Sequence, residues 1–112
     1  MIDLNEKAKE ALENAEKRNA NGANIKTDPY HMLKHAATEV IEAQQAYDGV
    51  VYGESEDPVI DRFNKAAFNS ELADIVCCVL IIAGKLGIDI EQAINLCIEK
   101  NRKRAEKKGD KI

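Results

Sequence analysis

The stretch Asn69-Ser70-Glu71-Leu72-Ala73-Asp74-Ile75-Val76-Cys77-Cys78-Val79-Leu80-Ile81-Ile82-Ala83 decides how this chain folds. Every residue from Ile75 to Ala83 is apolar. That run is too short for a bilayer, which needs about 20 such residues. A helix apolar on all sides belongs inside a soluble core. Glu71 and Asp74 stand at its head, three apart, and so project from one face. Ala67, Ile75 and Cys78 flank that face on a helical wheel, which puts both carboxylates among core positions. An unpaired charge there is costly and calls for a partner, a proton or a metal.

The sequence outside this stretch also reads as helix. With 112 residues the chain suits one domain. It has five aromatic residues (three Tyr, two Phe), no Trp and two prolines, a composition that favours helix throughout. A first helix is expected over 3–19, with Leu4, Ala8, Ala11, Leu12 and Ala15 at helical spacing and Asp3 or Asn5 as its cap. Gly22 lies in the break that follows. Asp28-Pro29 opens a second helix to about Tyr47, an N-cap residue followed by proline at the first position. Its inward arc is expected to be Leu33, Ala36, Ala37, Val40, Ala43, Gln44 and Tyr47, with Glu39 and Glu42 on one margin.

Residues 48–57 read as a loop. Asp57-Pro58 repeats the cap-plus-proline signal and opens a third helix to about Leu86, with a break expected near Asn69-Ser70. Gly87 is its stop. Asp89-Ile90-Glu91-Gln92 resembles a capping box for a fourth helix. Ile90, Ala93, Ile94, Cys97 and Ile98 form the inward stripe of that helix. The stripe then turns polar and basic at Asn101 and Arg104. The fold expected is all-α: four helices in an antiparallel bundle, with the N-terminal helix and linker over 1–25 and the functional helices over 28–107. Three amphipathic helices can hardly cover the third, so a second copy is expected to complete the bundle as a homodimer or homotetramer.

Composition also excludes some function classes. The net charge of −4 argues against general nucleic-acid binding. Cys77, Cys78 and Cys97 have no Cys-x-x-Cys spacing and read as small core thiols in a reducing cytoplasm. Met1-Ile2-Asp3-Leu4 runs straight into charged helix, so neither a targeting segment nor a membrane span is expected.

The chemistry rests on Glu39, Glu42, Glu71 and Asp74. An antiparallel pair of helices can bring the two couples level. Two such charges about 5 Å apart repel by roughly 3 kcal/mol at an effective dielectric near 20. Protons or cations must resolve that, and an all-oxygen ligand set favours a hard divalent ion, Mg²⁺ or Mn²⁺. His31, His35 and Glu39, one helical turn apart, offer a weaker zinc alternative for which no fourth ligand is evident. Lys34 is a candidate ion-pair partner for the cluster.

Glu39-Val40-Ile41-Glu42-Ala43, Glu71-Leu72-Ala73-Asp74-Ile75 and Lys100-Asn101-Arg102-Lys103-Arg104 together resemble the MazG-like, all-α nucleotide pyrophosphohydrolases. The resemblance covers roughly 30–105. The longer insertions of the dimeric dUTP pyrophosphatases and the second repeat of two-domain MazG are not seen. The resemblance implies that Glu39, Glu42, Glu71 and Asp74 hold Mg²⁺. It also implies that Lys100, Asn101 and Arg104 hold the triphosphate of a nucleotide cut to monophosphate and pyrophosphate. Two other readings share the pattern: a non-catalytic nucleotide- or protein-binding module, and a phosphoribosyl-ATP pyrophosphohydrolase. Tyr30, Tyr47, Tyr52, Phe63 and Phe68 are the only rings on which a base could stack, and the substrate base is not legible.

Overall fold

The structure, a computed structural model, describes residues 2–52 and 57–106, with the backbone alone at Tyr52. Among them are four helices and no strand: α1 (Leu4–Ala20), α2 (Pro29–Tyr52), α3 (Pro58–Leu86) and α4 (Ile90–Ala105). Polar caps set the boundaries. Asp3 accepts from the backbone N–H groups of Asn5 and Glu6, Asp57 from Val59, and Asp89 from Gln92. Each satisfies donors that a first turn leaves unpaired. Gly87 ends α3 in the left-handed region at φ 66°, and the Ile88 N–H reaches back to the Ala83 carbonyl at 2.9 Å.

Two boundaries differ from expectation. α2 continues through Asp48–Tyr52, which the sequence reads as loop. There the Asn64 side chain donates to the Gly49 carbonyl at 3.3 Å, tying the extra turn to α3. The rest of the expected loop, 53–56, lies outside the described residues, as do Lys107 and Lys108. α3 runs unbroken through Asn69-Ser70. Both residues are exposed there, where their weak helix preference is outweighed by the packing of Phe68 and Glu71 toward α2.

α3 is the central element. α2 packs along one part of it and α1 along another, while α4 packs chiefly on α1. The core consists mostly of small side chains: Ala8, Ala15, Met32, Ala43, Cys78, Leu80 and Ala83. α1 and α3 approach closely where Gly84 lies 2.7 Å, by its absent Cβ, from the Ala8 carbonyl. Any side chain at 84 would strike backbone. α4 is fixed at its start by α1. Asn5 accepts from the N–H groups of Ile90 and Glu91 and donates to Asp89, and Glu91 accepts from the Leu4 N–H at 2.8 Å.

Much apolar surface stays uncovered. α2 buries Met32, Glu39 and Ala43; of the expected arc only Ala43 is buried and Ala36 half-buried. Leu33, Ala37, Val40, Gln44 and Tyr47 are exposed instead, although Tyr47 keeps a ring contact with Phe68 at 5.2 Å. On α3, Leu72, Val76 and Val79 are exposed, in line with the expectation that the other three helices of one copy can hardly cover it. α4 buries none of its residues, and of its expected inward stripe only Ile90 packs on the core. In one copy, therefore, three helices pack and the fourth leaves the body after its first turn. By length and composition alone α3 would pass as a membrane span.

Candidate metal centre and adjoining cavity

Glu39 and Glu42 leave α2 three residues apart, and Glu71 leaves α3 where the two helices pack. Each offers an oxygen, and these atoms all lie within 4.8 Å of one another. Glu39 is only 8% exposed, although Glu42 is open to solvent. One oxygen of Glu39 and one of Glu71 are buried with no hydrogen-bond partner among the described residues. Buried acceptors of this kind are rare and costly. Burial holds the Glu39 carboxyl above the usual glutamate range, and after it the negative charge of Glu42 and the closeness of the Glu71 and Glu42 carboxyls raise it further. The His35 imidazole opposes them from 3.1 Å.

Asp74 lies outside the triplet's 4.8 Å grouping but lines the same cavity as Glu39. Its charge is felt nearby. Burial raises the Cys78 thiol pKa, and the charges of Glu39, Cys77 and Asp74 raise it further. Cys78 is the one buried thiol; Cys77 and Cys97 are exposed, which corrects the expectation of three core thiols.

The histidines do not join in a zinc set. His31 turns to Asp28 at 2.8 Å, where it lowers the Asp28 pKa by a side-chain hydrogen bond, and only His35 reaches Glu39. His35, and not Lys34, makes the recorded contact to the cluster.

The cavity beside the carboxylates holds about 700 Å³ and opens between α1, α2 and α3. Sequence reasoning missed its α1 wall, because Asn14 and Arg18 carry no motif and reach the site only through folding. Lys100, Asn101 and Arg104 do not line it. Arg102 is held by Glu99 at 2.6 Å and also pairs with Glu106, whereas Lys100 and Arg104 have no ion pair among the described residues.

An all-oxygen carboxylate triplet with unpartnered buried oxygens is the donor set of a hard divalent cation. The residues present fit Mg²⁺ or Mn²⁺. Fold and site thus define a helical protein with a cluster of three carboxylates between two packed helices. The MazG nucleotide pyrophosphohydrolase domain family matches residues 31–108, more than half of the chain, and the protein belongs to that family. No curated protein and no solved structure matched the chain.

Proposed function

We propose that this protein is a Mg²⁺-dependent nucleotide pyrophosphohydrolase that cuts a nucleoside triphosphate to the monophosphate and pyrophosphate. The observation that carries the reading is the pair of unpartnered buried oxygens, one on Glu39 of α2 and one on Glu71 of α3, within a carboxylate triplet in a member of this family. Glu39, Glu42 and Glu71 hold the ion, with Asp74 as the fourth ligand of the motif. When bound, Mg²⁺ neutralises phosphate oxygens and makes an attacking water more acidic. A carboxylate of the group takes that water's proton, and pyrophosphate leaves. His35 keeps Glu39 oriented through its 3.1 Å contact.

Lys100, Asn101 and Arg104 hold the phosphate chain, Arg as a fork and Lys as a point charge. In one copy α4 diverges from the cavity, so a second copy brings this basic end to the site. The same association covers Leu72, Val76 and Val79, and we assign that face to a protein partner of identical sequence rather than to a membrane. We take the chain to act as one domain in the cytoplasm, without nucleic-acid partners.

A panel of canonical, deoxy and damaged nucleotides, with phosphoribosyl-ATP included, tests the activity. Pyrophosphate and monophosphate are expected in equal amounts with Mg²⁺ or Mn²⁺. Their absence for every compound would refute the enzymatic reading.

A further inference from the structure

The cavity beside the carboxylates has two walls of different origin. Glu39 and Asp74 close one side. Asn14, Arg18, Asn24 and Lys26 form the opposite side, and all four lie outside the 31–108 segment that carries the family match. Glu39 and Asp74 thus lie within the matched segment, and the other four come from the N-terminal helix and linker before it.

Building on the reading above, we infer that this cavity is the nucleoside subsite and that Asn14 and Asn24 select the base. Its volume of about 700 Å³ lies within the ~300–1,000 Å³ of small-ligand pockets. The floor is apolar and rich in sulfur: Met32, Cys77, Cys78 and Ile81. A flat heteroaromatic ring gains from contact with polarisable sulfur. A pyrophosphate group would lose its hydration there without apolar gain. Among the described residues the rings that line the cavity are the imidazoles of His31 and His35, with no Tyr or Phe, so the base rests on sulfur, aliphatic groups and imidazole.

Above that floor, Asn14 and Asn24 each present an acceptor and two donors, the complement of a base edge. Neither side chain has a hydrogen-bond partner within the protein among the described residues. Arg18 and Lys26 likewise have no carboxylate partner there. The planar guanidinium of Arg18 suits the exposed face of a stacked ring. With the base against α1, the phosphates run toward Glu39 and Asp74, and the pyrophosphate leaves on the far side of the carboxylates.

The exposed thiol of Cys77 lines the cavity and allows a test that is independent of turnover. Iodoacetamide alkylation of Cys77 is followed by mass spectrometry in Mg²⁺ buffer, with each nucleoside monophosphate in turn and with inorganic pyrophosphate. A cysteine-containing peptide of unrelated sequence in the same sample is the reference. Monophosphates carry no anhydride to cleave. At least one is expected to slow Cys77 several-fold, to leave the reference peptide unchanged, and to outdo pyrophosphate. Asn14→Leu or Asn24→Leu, both at exposed positions, should abolish that protection or change which base gives it. Unchanged alkylation of Cys77 with every monophosphate overturns the inference, as does equal protection by pyrophosphate. Nucleotide hydrolysis without protection removes the subsite and leaves the enzymatic reading standing. Protection without hydrolysis does the reverse.

Discussion

Glu39 concentrates the cost of the site in one side chain. Its pKa is raised in the folded protein above the ordinary 4.5, first by burial and then by Glu42. A raised carboxyl favours the folded state below the unfolded pKa, and that advantage is lost as pH rises through the folded value. The metal-free protein should therefore melt at higher temperature near pH 5 than at pH 7 in a chelator-treated thermal scan. Added Mg²⁺ should restore stability at pH 7. Glu39→Gln should remove this pH dependence and raise the metal-free melting temperature at pH 7. Glu42→Gln should lower pyrophosphate release by about 100-fold or more while helical circular dichroism stays unchanged. The grouping of Glu39, Glu42 and Glu71 was legible because three-residue spacing places each couple on one helix face; Asp74, read with them, lies outside the grouping. That Glu39 is buried was not legible, since Leu33, Val40 and Tyr47 repeat at helical spacing too and shifted the centre of the inward face away from Glu39, although Ala43 of that arc is buried. Asn14 and Asn24 gave no signal, because an asparagine on a charged helix looks like any solvated residue.

Helix ends show what local sequence carries and where it stops. Asp3, Asp57, Gly87 and Asp89 act where their neighbours predict. Asn5 reads equally well as a cap for its own helix but instead caps the start of α4, 85 residues on. Only tertiary structure decides between these roles. Asn5→Ala should cost about 0.5–2 kcal/mol, as for other lost caps. The melting temperature would then fall by roughly 4–8 °C per kcal/mol in a domain of this size. An unchanged melt would show that α4 is not docked through Asn5. Likewise Gly84→Ala must push α1 from α3, because the contact is with the Ala8 backbone. A loss of about 1–3 kcal/mol is expected in denaturant titration.

The whole molecule is too open for its size. It exposes 8545 Å², against roughly 6,100 Å² for a compact monomer of its mass. Its radius of gyration is 17.2 Å, against about 13 Å for a compact chain of its length. α2, α3 and α4 all carry exposed large apolar side chains, and the excess area is of the order a permanent homodimer hides per subunit. Light scattering should report a multiple of 12.4 kDa at micromolar concentration, and Val76→Glu should shift it toward the single chain. The exposed apolar face of α3 was legible in its unbroken apolar run, but the departure of α4 was not, because the spacing of Ile90, Ile94 and Ile98 does not say which helix the stripe packs on. The cation centre itself is tested most directly by isothermal titration of Mg²⁺ into the metal-free protein. The account predicts saturable binding of at least one ion per chain, lost in Glu39→Gln and Glu71→Gln. Absence of saturable binding, or equal binding by those variants, would contradict it.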